Sequence, residues 1–403
     1  MLPSENQVTE TRSQLNILHL VPDDKFIPFV QRAYELAFPR QNQFRVFGVD
    51  KGAPLRFVLS GDNVQVASRG YWFSSAMKED LRWCDCLIVH YMTQGAGRVV
   101  ASAPPHVTVV WVAWGGDLYH LLSSYRNDLY LPETRRFVAS LPTKRQKTLF
   151  SPVKLLKALG RTLIFGDWEK RALSRVDFAS MLYLEHQMLA ASVQEFQAKH
   201  FHFNWYYSAE EVFMKGSSPV CGTDILVGNS AAPSGNHAEI FRLLGSMNIG
   251  DRNVVVPLSY GDEDYADWVC NLGVRAFGNR FRPVRNFMPL DEYNDLISSC
   301  GTVFMNHVRQ QAFGNICTAL YKGARVYLRA KNPIFQFLQE KGVSIYEVPE
   351  SAAGKDELFA PLNPDEVARN RQLLLSFLSM ENVVDRVRCL ASRIEKRRET
   401  NRV

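Results

Sequence analysis

The chain has 403 residues, of which 46% are hydrophobic and 22% charged, and a formal net charge of +6. That composition supports two cores of ordinary domain size and excludes a disordered or low-complexity protein. The modest positive excess suits an anionic partner such as a nucleotide, a phospholipid headgroup or a lipid pyrophosphate. With no basic stripe interleaved with aromatics, it makes no case for nucleic acid.

The N-terminal MLPSENQVTETRSQ is polar and lacks the apolar region of a signal peptide. The first half then alternates short apolar runs with helical patterns. Strands are predicted at 16–21 (NILHLV), 45–49, 85–92 (DCLIVHYM), 106–114 (HVTVVWVAW) and 175–182, with helices at 26–37 and 74–82. Residues 142–171 break this rhythm with eight Lys or Arg against Asp167 and Glu169. Within them Val153, Leu155, Leu156, Leu159, Leu163 and Ile164 fall on one helical face. Such a segment can lie on an anionic membrane through Lys144, Arg145, Lys147, Lys154 and Lys157, or it can be a packed helix with a solvated basic face.

The turn-rich GSSPVCGTD at 216–224 separates this half from a second run of the same alternation. Strands are predicted at 224–230, 253–259, 302–307, 324–329 and 343–348, and helices at 236–247, 262–273, 289–300, 314–323 and 333–341. A helical tail follows over about 364–399. The pattern is α/β, with a first domain at 1–215 and a second at 222–403 that includes the tail. Two doubly wound domains describe the GT-B architecture of glycosyltransferases, a layout shared by periplasmic binding proteins and some epimerases. The seven cysteines (Cys84, Cys86, Cys221, Cys270, Cys300, Cys317 and Cys389) are odd in number and form no C-x-x-C or zinc-site spacing. They point to a reducing compartment. No run reaches the ~18–20 uninterrupted apolar residues of a membrane span, so a soluble or peripheral protein is expected.

In an open α/β sheet, ligands meet the loops beyond the carboxyl ends of the strands. After the first strand of the second half come Gly228, Asn229 and Ser230, then Asn236 and His237 at a helix start. These residues can approach an anion, or simply form a turn and a cap. After the next strand come Ser259, Tyr260 and Asp262, where Tyr260 can cover a sugar or base and Asp262 can cap a helix. Phe287 and Met288 can wall a nucleobase ahead of Pro289. The strongest local signal is Arg309-Gln310-Gln311-Ala312-Phe313-Gly314-Asn315, just past TVFMNH and opening a helix. A forked guanidinium beside free helix N–H groups suits a diphosphate leaving group without a metal, so no cofactor or metal is expected. In the first half, Asp117 follows Gly115 and Gly116 at a strand end and can act as general base or as an N-cap. His90, ending DCLIVH, can be a base or a structural histidine.

These motifs resemble one bacterial family. ILVGNS, VVVPLSYG, FMPLDEYNDLISSC and RQQAFGNICTALYKGARVYLRAKNPIFQFL are similar to its C-terminal domain, and WGGDLY is similar to its WGADLY. The family is the TDP-N-acetylfucosamine:lipid II N-acetylfucosaminyltransferase family, of 4-alpha-L-fucosyltransferase type, in enterobacterial common antigen synthesis. The resemblance covers about 222–340 and, in patches, 85–130. It implies a GT-B fold and a TDP-sugar donor carrying a deoxyamino sugar. It also implies an undecaprenyl-pyrophosphate-linked acceptor at the inner face of the cytoplasmic membrane. Donor contacts carry over to Gly228, Asn229, Ser230, Tyr260, Arg309, Gln310, Gly314 and Asn315. Gly115, Gly116, Asp117 and Tyr119 fall on the acceptor side. A different nucleotide-sugar serving another surface glycan, or a non-catalytic nucleotide-sugar-binding module, remain the competing readings.

Overall fold

The computed structural model describes residues 15–50, 52–68, 70–122, 125, 128–141, 167–201, 206–214, 219–351 and 356–400. The expected membrane contacts Lys144, Arg145, Lys147, Lys154 and Lys157 lie outside the described residues.

Buried parallel strands must be apolar on both faces, and the central runs of this chain are. The first sheet comprises β1 (Ile17–Pro22), β2 (Asn42–Phe47), β3 (Val64–Val66), β4 (Cys86–His90), β5 (Thr108–Val112), β6 (Phe178–Ser180) and β7 (Lys199–Phe201). The second comprises β8 (Asp224–Val227), β9 (Val254–Pro257), β10 (Phe281–Val284), β11 (Cys300–Met305), β12 (Arg325–Leu328) and β13 (Tyr346–Glu347). Their orders are β3-β2-β1-β4-β5-β6-β7 and β10-β9-β8-β11-β12-β13. The pairings are parallel, for example Ile17 with Asn42 and Cys86, and Val303 with Leu226 and Val326. Strand order therefore reverses between β1 and β4 in one sheet and between β8 and β11 in the other. Each reversal opens a crevice at the carboxyl ends of the central strands. Helices cover both faces of both sheets, giving two pairs of apolar layers.

The strands that sequence patterning missed are the short edges β3, β7 and β10. In β10, Arg282 and Pro283 are exposed, as an edge strand tolerates and a central one does not. The domain limits also differ from expectation. Tyr207, Ala209 and Phe213, placed in the first domain, pack in the second core beside Ile316 and Leu320. The tail is two helices, Pro364–Leu378 and Met380–Thr400, separated at Ser379, whose ψ is 153°. The first joins the second domain. The last crosses back: Val383, Val384, Val387, Leu390 and Ile394 pack with Ile27, Val30 and Tyr34 on the first. Arg397 then pairs with Asp177 at 2.9 Å. An apolar stripe makes a helix amphipathic but does not name the surface it will cover.

A second crossing precedes the basic segment. The helix Pro132–Ser140 rests on the helix His237–Gly245 of the other domain. Glu239 accepts from the backbone N–H groups of Glu133 (2.9 Å) and Thr134 (3.0 Å) and from the Thr134 hydroxyl (2.9 Å). Phe137 stacks on Trp268 with centroids 4.3 Å apart. Glu239→Ala strands three donors, two of them on the fully buried Thr134. Its expected cost is about 2–4 kcal/mol, read by scanning calorimetry as a melting temperature lower by on the order of 5 °C.

Candidate functional site

Four strand-end loops of the second domain face the first. After β8 the chain turns through Gly228 (φ +70°), Asn229 and Ser230, then Asn236 (φ +50°) and the helix His237–Gly245. Asn236 is a bracket between domains: it accepts from the Leu131 N–H at 2.9 Å and donates to the carbonyls of Leu129 and Asn306, each at 3.2 Å. After β11 the chain passes through Arg309, Gln310 and Gln311 to Ala312 (φ +61°), which opens the helix Phe313–Lys322. No side chain caps that helix and its first turn holds no acidic residue, so its leading N–H groups are left to solvent or ligand.

One chain of hydrogen bonds ties three of the loops. Ser234 donates to Gln311 Oε1 (2.7 Å), Gln311 Nε2 donates to Asn229 Oδ1 (3.2 Å), and Asn229 Nδ2 donates to the Tyr260 hydroxyl (3.0 Å). Lys25 Nζ, from the first domain, lies 5.1 Å from the Tyr260 ring centroid, within cation–π range. Asn315 Nδ2 donates to the Tyr293 hydroxyl at 2.9 Å. Thus Asn229, Ser230, Tyr260, Gln311, Gly314 and Asn315 gather around the crevice. Ser259 is half-buried beside them. Phe287 is 76% exposed on the loop after the edge strand β10, with Met288 half-buried next to it, outside this hydrogen-bonded set.

Arg309 stands at the mouth. Its guanidinium hydrogen-bonds to no described residue, and burial works against its charge. Tyr91, Tyr119, Tyr130 and Glu185 surround it, and of these four the Glu185 carboxyl is the group whose ionised form offsets the charge near neutral pH. Gly115 (φ +85°) explains how it fits: a Cβ there would lie 3.1 Å from Arg309 Nη1 and 3.2 Å from Gln310 Oε1. The glycine frees space for a side chain of the facing domain.

Several expected site residues are placed elsewhere. Gly228 does not leave room for a ligand, because the His237 ring fills that space, with Nε2 2.3 Å from where a Cβ would stand. His237 is itself fully buried, bonds the Tyr265 hydroxyl at 3.0 Å, and is lowered to about 4 by burial, so it packs beneath the loop as neutral imidazole. Phe313 is buried in the second core. His90 lies inside the first domain, 3.2 Å from His19 and beside Tyr206, and burial holds it well below the usual imidazole range. It does not face the cleft. Asp117 is buried at 3% exposure. Its carboxylate accepts from Met92 N (2.7 Å), Trp111 Nε1 (2.8 Å) and Trp114 N (2.9 Å), which fixes the Gly115–Gly116 turn instead of offering a base to an acceptor. Gly116 lies against Tyr91.

Tyr119 does reach the cleft. Its hydroxyl accepts from the Gln310 N–H at 2.8 Å across the domain gap and donates to Glu185 Oε1 at 2.6 Å. Sequence reasoning missed Glu185. It sits at the third position of the helix Tyr183–Ser192, where an acidic residue is ordinary capping chemistry, and only the tertiary structure buries it. Among the described residues no group of three His, Cys, Asp or Glu side chains could hold a metal ion.

Residues 173–355 match the family of 4-alpha-L-fucosyltransferases, glycosyl transferase group 56. The chain is a glycosyltransferase. Its match spans Glu185, the four loops and Arg309, and includes the second sheet from β8 to β13. In overall structure the chain is similar to the N-terminal domain of Candida albicans trehalose-6-phosphate phosphatase, at 10% identity and TM-score 0.60, covering 96% of this chain and 98% of that one. It is also similar to sucrose-phosphate synthase from Thermosynechococcus elongatus, at 10% identity and TM-score 0.60, covering 94% and 99%. Anabaena HepE, solved with UDP and glucose, is similar at 11% identity and TM-score 0.50, covering 96% and 98%. The fold is GT-B.

Proposed function

We propose that this glycosyltransferase moves an N-acetylfucosamine-like deoxyamino sugar from a TDP-sugar to an undecaprenyl-pyrophosphate-linked glycan, at the inner face of the bacterial cytoplasmic membrane. The observation that carries the donor half is Arg309: a guanidinium with no hydrogen-bond partner among the described residues, on the loop that leads into an uncapped helix N-terminus, at a topological switch point. Breaking the bond between the sugar's anomeric carbon and the nucleotide leaves negative charge on the departing diphosphate. Fixed N–H groups and a forked cation stabilise that charge as it develops, without reorganising. Tyr260, tied through Asn229 and Gln311 to the same loops, borders the adjoining space where a base or sugar would lie. That the HepE structure holds UDP and glucose supports a nucleotide-sugar in a fold of this kind. The sugar and acceptor rest on the family match and on the sequence motifs.

Calorimetry with TDP and UDP, and mass spectrometry of products from a panel of TDP-sugars with extracted lipid-linked acceptors, test this reading. Absence of nucleotide binding would end it. Membrane association rests on the basic segment 142–171. Among the described residues no helix is long and apolar enough to cross a membrane. Reversing Lys144, Arg145, Lys147, Lys154 and Lys157 is expected to weaken binding to anionic liposomes at least tenfold at low salt, since each basic residue near the surface contributes about 1 kcal/mol. Unchanged flotation would remove the membrane from the proposal.

A further inference from the structure

Glu185 is a carboxyl group with 2% exposure, and backbone capping uses only one of its oxygens: Oε2 accepts from the Leu182 N–H at 3.2 Å. The other accepts from Tyr119, and the Tyr119 hydroxyl in turn receives the backbone N–H of Gln310, 191 residues on and in the opposite domain. Tyr119 is also 3% exposed, its ring set edge-on against Tyr125 at 5.1 Å. Tyr125 reaches across the same gap to the Lys331 carbonyl at 3.0 Å. A buried acid–phenol pair whose outermost bond ends on the residue after Arg309 does more than cap a helix.

We infer that Tyr119 and Glu185 form a positioning couple that fixes the Arg309–Gln310 turn against the diphosphate of the sugar donor. The inference rests on the donor-site reading above. The phenol supplies the acceptor that the Gln310 N–H needs when the domains meet, and the carboxyl holds the phenol in the orientation that accepts. Neither touches the reacting atoms; both act through Arg309.

The couple also ties donor affinity to pH. Glu185 is faced by Tyr119 and Tyr125, by Asp117 and, from the second domain, by Arg309; Tyr91 and Tyr130 complete the surroundings of the guanidinium. Burial pushes the Glu185 carboxyl up to about 7. Below that pH the protonated acid leaves the full field of Arg309 for a diphosphate. Above it the carboxylate subtracts from that field. An anion at Arg309 therefore favours protonated Glu185, and binding weakens as pH rises through 7.

The test uses calorimetric titration of the full chain with TDP and with UDP between pH 6 and 8. Tyr119→Phe is expected to bind either nucleotide roughly tenfold more weakly, from the unpaired Gln310 N–H. Glu185→Gln keeps the shape and an acceptor oxygen but not the charge. The ratio of wild-type to Glu185→Gln Kd is expected to rise several-fold from pH 6 to 8, and the ratio cancels titration of the nucleotide itself. Wild-type binding by Tyr119→Phe together with a pH-independent ratio overturns the couple. Should Tyr119→Phe not fold, the pH series on Glu185→Gln decides alone. Equal binding by wild type and Arg309→Ala instead overturns the donor-site reading, and the two failures are distinct.

Discussion

Arg309→Ala is expected to cut sugar transfer by roughly 10²–10³ in kcat, the cost of removing one preorganised donor from a developing oxyanion, about 2.7–4 kcal/mol. The guanidinium has no hydrogen-bond partner among the described residues, so its removal breaks no hydrogen bond among them. Its burial works against the charge, so the variant's melting temperature should be unchanged or slightly raised. That pairing of lost turnover with retained stability separates a functional cation from a structural one. Arg309→Lys keeps charge but not the fork, and should recover only part of the loss. Steady-state kinetics with a TDP-sugar, alongside thermal melts, give both readouts. A kcat within threefold of wild type for Arg309→Ala would remove the residue from the leaving-group site.

Why Arg309 was legible in the sequence while Glu185 was not is a matter of where each signal is stored. Central parallel strands such as Cys86–His90 and Val254–Pro257 are largely apolar on both faces, so their ends are visible, and Arg309 lies in the loop after another, Cys300–Met305. The same logic exposed the loops at Gly228–Ser230 and Tyr260. Edge strands carry no such run; Lys199–Phe201 opens with a lysine and a histidine, and Phe281–Val284 is interrupted by Arg282 and Pro283. Glu185 looks like any first-turn acid, and its burial is created by Tyr119, which is 66 residues away. The crossing of Met380–Thr400 to the first domain is equally silent, because its apolar stripe fits either core.

Asp117 and His90 show the limit of strand-end reasoning. Position along a strand says a side chain is near the sheet's mouth, but not whether it points outward or back into the protein. All three partners of Asp117 are donors: two backbone N–H groups and an indole N–H. Asparagine can offer them one oxygen, and its amide must turn N–H groups toward N–H groups. Asp117→Asn is therefore expected to destabilise the first domain by about 3–5 kcal/mol, as breaking one side of a buried charged network does. Asp117→Ala should cost at least as much. Activity should fall in step with the folded fraction, and residual folded enzyme below the transition should retain most of its kcat. A general base gives the opposite result: normal melting with turnover lost by orders of magnitude. Denaturant unfolding followed by kinetics on the same samples distinguishes them, and intact stability in Asp117→Asn would return the residue to the chemistry of the acceptor.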